Sequence, residues 1–252
     1  MTSPTRILCV GATGSIGLHV VDEALRRGHS VRALVRNRDR APQWPPQVEV
    51  VAGDLTRPES LSQAVAGIDA VIFVHGTYGG DQGAAEAVDY GGVRNVLFAL
   101  GRHKVRIALM TAIGVTDRKG VHDWKRRGER LVRASGMPYT IVRPGWFDCN
   151  EPDQRRLVLL QGDRRQSGTP RDGVVARQQI AEVLVRSLGS SKAARKTFEL
   201  IAETGPEPDD FDRLFATADP DAERALDGVH DAANMPLDEE PEQVKADLKN
   251  VP

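Results

Sequence analysis

The stretch Gly11-Ala12-Thr13-Gly14-Ser15-Ile16-Gly17 has the residue types and spacing to bind a phosphate through the backbone. It follows the apolar run Ile7-Leu8-Cys9-Val10 and leads into a segment with Ile16, Val20, Val21, Ala24 and Leu25 on one helical face. A short buried strand, a tight turn and an amphipathic helix, in that order, form the setting a dinucleotide-binding loop requires. Gly11 would allow the sharp turn out of the strand, Gly14 the approach of a diphosphate, and Gly17 close contact of helix and sheet. The diphosphate would meet free N–H groups at the helix N-terminus, with Thr13, Ser15 and Ile16 around it. The alternative is that the glycines simply separate a strand from a helix, but the periodicity on both sides favours the loop.

The spacing 11, 14, 17 departs from G-x-G-x-x-G. With its Gly-Ala-Thr-Gly-x-x-Gly loop the sequence resembles the short-chain dehydrogenase/reductase superfamily, in particular its atypical NAD(P)-binding members of the nitrogen-regulator-like, biliverdin-reductase-B-like and sugar-epimerase-like types. The resemblance runs from about residue 5 to about residue 202 and implies an oxidoreductase. The expected fold is α/β, a Rossmann-type doubly wound parallel sheet with a small substrate-side cap and a C-terminal extension.

The elements that must position this loop follow in alternation. Strands are expected at 30–35, 48–51, 70–74, 105–110, 139–143 and 197–201, with a further short one near 157–161 inside the substrate-side loop, and helices at 59–66, 84–100, 121–131 and 174–188. Arg36 lies 19 residues past Gly17, where an acidic residue would bind a ribose diol. An arginine there suits a 2′-phosphate, which makes NADP the expected cofactor and NAD the alternative. A solvated basic loop is the competing reading of Arg36, Arg38 and Arg40. By the resemblance, Asp54 in Gly53-Asp54-Leu55 lies beside the adenine, although an aspartate there could equally cap a turn. Ligands of an open parallel sheet lie beyond the carboxyl ends of its strands, so the loop starting His75-Gly76 lines the cleft. His75 is a proton-donor candidate there, or a histidine with a purely local hydrogen bond.

The resemblance further implies that Thr111, at the end of the fifth strand, meets a substrate carbonyl and that Pro144 and Gly145 turn against the nicotinamide. The superfamily pairs Tyr-x-x-x-Lys. Here Lys125 fits the lysine, which holds the nicotinamide ribose, but the position four residues earlier is Val121. The expected catalytic set is therefore Thr111, Lys125 and His122, with His122, Tyr78 or water supplying the proton. A non-catalytic NADP-binding redox sensor and a sugar-nucleotide epimerase are the alternatives, the epimerase being disfavoured by the missing phenol.

With 40 % hydrophobic and 27 % charged residues the chain has an ordinary globular composition. It contains neither a long apolar run nor an apolar leader, so the expected location is cytoplasmic. Cys9 and Cys149 suggest no disulfide framework, and no metal-ligand cluster is apparent. The net charge of −1 conceals a split: residues 205–252 carry −10 and residues 1–204 carry +9. The positive charge is dispersed without interleaved aromatics, so a small-molecule substrate rather than a nucleic acid or membrane partner is expected, in a monomer or homodimer. The expected division is a Rossmann domain over 1–204, its substrate-side segment near 146–175, and an acidic extension over 205–252. That extension could fold over the basic body, meet a second subunit or move freely.

Overall fold

The computed structural model describes residues 5–77 and 79–252, so Tyr78, one of the proton-donor candidates, lies outside the described residues. Seven parallel strands form the sheet: β1 (Arg6–Val10), β2 (Ser30–Val35), β3 (Val48–Ala52), β4 (Ala70–Phe73), β5 (Arg106–Met110), β6 (Tyr139–Pro144) and β10 (Lys196–Glu203). Between the last two in sequence come β7 (Trp146–Phe147), β8 (Arg156–Leu160) and β9 (Val174–Val175). The order is β3-β2-β1-β4-β5-β6-β10-β8, with β8 antiparallel to β10, while β7 and β9 pair separately. The chain reverses direction across the sheet between β1 and β4, which makes the carboxyl ends of those strands the ligand-binding crevice.

The continuous apolar runs are explained by burial on both faces. Ile7 and Cys9 of β1 enter one core layer while Leu8 and Val10 enter the other. The first layer is closed by α1 (Ser15–Arg26) and α6 (Arg177–Gly189), the second by α2 (Ser62–Val65), α4 (Gly91–Leu100) and α5 (Val121–Ala134). Cys9 is an inert core thiol, its pKa raised to about 12 by burial.

Two expected elements differ from what forms. The helix anticipated over 174–188 starts at Arg177, because Val174 and Val175 are first taken into β9. The strand expected near 157–161 extends the main sheet rather than standing in a local loop. The helix expected over 84–100 is present, but it is built from α3 (Gln82–Ala84), a π-helical turn over Ala85–Tyr90, and α4.

Residues 205–252 pack over the basic body, and α5 is the reason. Its apolar face puts Trp124, Leu131 and Val132 into the core, which leaves Arg126, Glu129, Arg130 and Arg133 on the other side, all buried. Arg130 meets Asp227 at 2.7 Å and Glu240 at 2.8 Å, Arg126 meets Asp227 at 2.9 Å, and Arg133 meets Asp221 at 3.2 Å. The last turn of chain is closed by α7 (Phe211–Phe215), which buries Phe211 and Phe215 beside Phe198, and α8 (Glu242–Asn250), which buries Val244 in the second core layer.

Beneath this strap Arg143 of β6, fully buried, contacts Glu129 at 2.7 Å, Asp231 at 2.7 Å and Glu199 at 3.2 Å. Burial alone would raise the pKa of Glu129, but Arg143, Arg133 and the Thr111 hydroxyl hold it down at about 2. Removing one partner of such a group leaves its counter-charges buried and unpaired. Arg143→Met should cost about 3–5 kcal/mol in a denaturant titration, whereas a surface arginine such as Arg155, paired with exposed Glu207, should cost less than about 1 kcal/mol.

Candidate functional site

The glycine loop has the shape that its sequence requires. Gly11 has φ of +95°, and a side chain there would start 2.7 Å from the His75 backbone nitrogen. A Cβ on Gly17 would lie 2.0 Å from the Gly11 carbonyl oxygen, so α1 can pack against the loop only with glycine at that position. Gly14 caps α1 without any side-chain hydrogen bond, and Thr13, Gly14 and Ser15 are exposed while Ile16 is buried. The first N–H groups of α1 therefore lack a side-chain cap, at the carboxyl end of β1. This cradle fits the diphosphate of a dinucleotide.

Arg36 directly follows β2 and is exposed, with no ion pair among the described residues. It acts electrostatically on Asp54, as does Arg57. The Asp54 carboxylate accepts hydrogen bonds from the backbone N–H of Thr56 at 2.9 Å and from its hydroxyl at 2.8 Å. These bonds, and then the two arginines, hold its pKa below the usual carboxylate range. Asp54 thus caps a turn. Leu55 is half-buried, and its carbonyl accepts a hydrogen bond from Asn95.

Beyond β4, the structure brings together residues that are far apart in sequence. Lys125 Nζ lies 2.9 Å from Asp89 Oδ1, which also accepts the Thr77 N–H at 3.0 Å, while Asp89 Oδ2 accepts the Thr77 hydroxyl at 2.7 Å. A Cβ on Gly76 would lie 3.2 Å from Lys125 Nζ, so Gly76 leaves the ammonium in contact with bare backbone. Asp89 is the functional residue that sequence reasoning missed. Helical spacing from Ala84 would place it without regard to the π-helical turn that carries it, and a lone aspartate in a helix gives no signal of its own.

His75 belongs to this cluster but not as an acid. Burial lowers its pKa to about 4, and its Nε2 donates to the Val88 carbonyl at 3.0 Å, leaving a buried Nδ1 with no hydrogen-bond partner among the described residues. The imidazole is neutral at physiological pH, which removes it as a proton donor there. His122 differs: its Nδ1 sits 3.0 Å from the Gly114 carbonyl and 3.1 Å from Asp117 Oδ1, while Nε2 makes no hydrogen bond among the described residues. Val121, in the superfamily's tyrosine position, is half-buried against the second core layer.

Thr111 is turned inward. Its hydroxyl donates to Glu129 Oε1 at 2.7 Å and so joins the Arg143 network rather than Lys125. Pro144 ends β6, and Gly145 crosses the Gly173 backbone so closely that a Cβ would lie 2.5 Å from its carbonyl oxygen. Asp163 ties the loop after β5 to the far side of the sheet, accepting from Gly114 N at 2.6 Å and Thr116 N at 2.7 Å. Between them Ile113, Leu160, Gln161, Arg164, Arg165 and Glu199 line a cavity of about 180 Å³. At the opposite rim, Arg177 Nε donates to Ser15 Oγ at 3.1 Å.

A doubly wound sheet with a glycine cradle at its crevice and a lysine beside the fourth strand defines a dinucleotide-binding protein of the short-chain dehydrogenase/reductase type. The chain belongs to the NAD(P)H-binding family, which matches residues 11–191. Sanguinarine reductase of Eschscholzia californica is 26 % identical over 254 residues, covering 82 % of this chain and 92 % of that protein. The photosystem II assembly factor Ycf39 of Synechocystis is 27 % identical over 205 residues, covering 78 % of this chain and 62 % of that one. Among solved structures, one described as an NAD-dependent epimerase/dehydratase from Bacillus halodurans superposes with a TM-score of 0.70 at 23 % identity, over 84 % of this chain and 99 % of that one. A short-chain dehydrogenase/reductase from Veillonella parvula in complex with NADP gives 0.62 at 19 % identity, over 82 % and 99 %. These two show the shared fold. Among the described residues, no helix is long and apolar enough to cross a membrane.

Because His75 is buried neutral and the unfolded chain binds its proton at about 6.5, its contribution to stability is present above pH 6.5 and is lost as pH falls toward about 4. Thermal midpoints measured across that window should fall for the wild type and change less for His75→Asn. A profile with the same slope in both would remove His75 from the acid response.

Proposed function

We propose that this protein is an NADP(H)-dependent oxidoreductase that reduces a small carbonyl-like, quinone or flavin acceptor. The observation that carries the reading is the Lys125–Asp89 pair beside Gly76, which puts a fixed ammonium one residue beyond His75, whose backbone packs against Gly11 of the glycine cradle. Arg36 is the expected partner of the 2′-phosphate, because it is exposed directly after β2, beside Asp54.

A bound nicotinamide would supply the hydride, and the chain's own residues would bind, orient and protonate. Lys125, held by Asp89, would hold the nicotinamide ribose. His122 is the proton donor in place of the missing phenol: Asp117 and the Gly114 carbonyl fix its Nδ1 edge, leaving Nε2 for the substrate oxygen. The modest cavity beside Ile113 favours a small acceptor. The redox-sensor reading rests on Val121, since without a phenol the cleft could bind both cofactor forms and turn neither over.

A titration of NADPH and NADH against the wild type and Arg36→Ala, followed by a panel of acceptors, tests these assignments. NADPH should bind more tightly than NADH, and Arg36→Ala should remove most of that difference. Equal affinity for both in the wild type would sink the phosphate assignment. For an accepted substrate, His122→Gln should lower kcat by about 10²-fold or more, while Lys125→Met should mainly raise the KM for the cofactor. Tight binding with no turnover on any acceptor would make the protein a sensor.

A further inference from the structure

Arg177 stands where helix electrostatics disfavour a cation. It is the first residue of α6, and its guanidinium reaches the first residue of α1, donating from Nε to Ser15 Oγ at 3.1 Å. Both helices begin at the crevice rim and present the positive ends of their dipoles there. One carboxylate offsets the charge: Asp148 pairs with the Arg177 guanidinium, and its Oδ1 accepts the Arg177 backbone N–H at 2.9 Å. Asp148 is held in that place by a left-handed backbone, with φ of +51°, and by its own N–H donating to the Val175 carbonyl at 3.0 Å. The guanidinium also lies 5.4 Å from the centre of the Phe147 ring. Arg177 and Asp148 remain partly exposed, with 30 % and 48 % of their side-chain surface open. The pair is therefore accessible to an incoming anion.

We propose that Arg177 is a ligand of the cofactor diphosphate, kept by Asp148 until the dinucleotide arrives. The inference rests on the dinucleotide reading of the glycine loop. A diphosphate on the α1 N-terminus lies within reach of a side chain that already touches Ser15, and it offers the guanidinium the fork geometry that a lone exposed carboxylate offers less fully. Transfer of Arg177 from Asp148 to the diphosphate frees the Asp148 carboxylate next to Trp146 and Phe147. Cofactor binding thereby reaches the substrate-side segment through one side chain.

The test is the affinity for NADPH of wild type, Arg177→Ala, Asp148→Asn and the double variant, read by fluorescence or calorimetry without turnover. Arg177→Ala should weaken NADPH about tenfold or more, the loss expected for one charge-assisted contact. Asp148→Asn keeps the acceptor for the backbone N–H but removes the competing charge, so it should tighten binding. The double variant should match Arg177→Ala. Unchanged affinity in Arg177→Ala overturns the proposal. So does weakening by Asp148→Asn as large as that by Arg177→Ala, the result of a pair that only braces the rim. Wild-type protein that binds neither NADPH nor NADH would instead overturn the dinucleotide reading, and the ligand role of Arg177 with it.

Discussion

The buried pairing of Arg143 with Glu129 is the point at which β6, α5, β10 and the C-terminal segment meet. It joins the end of β6 to the middle of α5, and its remaining valences recruit Asp231 from the C-terminal segment and Glu199 from β10. Burying a guanidinium is costly, and the cost is met only when every donor finds an acceptor. The surplus of acids around it has its own effect. Burial, with Asp163 and Asp231 nearby, lifts Glu199 to about 7, so this carboxyl opposes stability as pH rises while Glu129 supports it. Through Thr111, the same network fixes the end of β5 at the crevice.

The charge split between body and extension follows from this arrangement. Arginines on the outer face of α5 would read as a solvated helix face in any local view of the sequence. They are buried because the acidic segment crosses them, and the segment is ordered because they are there. Neither half explains itself alone, and the net charge of −1 conceals both.

What could be read from the sequence divides along the same line. The strands and the glycine cradle were legible because their constraints are local: an apolar run, a forced φ at Gly11, and a helix that only glycine lets approach at position 17. Asp89 was not, since its role depends on a π-helical turn and on a lysine 36 residues away. Thr111 was placed correctly at a strand end, but which way its hydroxyl turns is decided by Glu129, a residue of another element. The start of α6 was missed because β9 draws Val174 and Val175 into extended pairing, a tertiary preference that overrides helical spacing.

The π-helical turn over Ala85–Tyr90 has a geometric meaning of its own. A turn that holds one residue more than an α-helix shifts the phase of everything on one side of it relative to the other, as a single inserted residue would. Two successive side chains of this turn serve different partners: Asp89 meets Lys125, and the Tyr90 hydroxyl meets Asp247 of α8, 2.8 Å away. Deleting one residue from the turn would rotate the segment before it against α4, and Asp89 with it. The crevice and the C-terminal helix thus share one point of attachment.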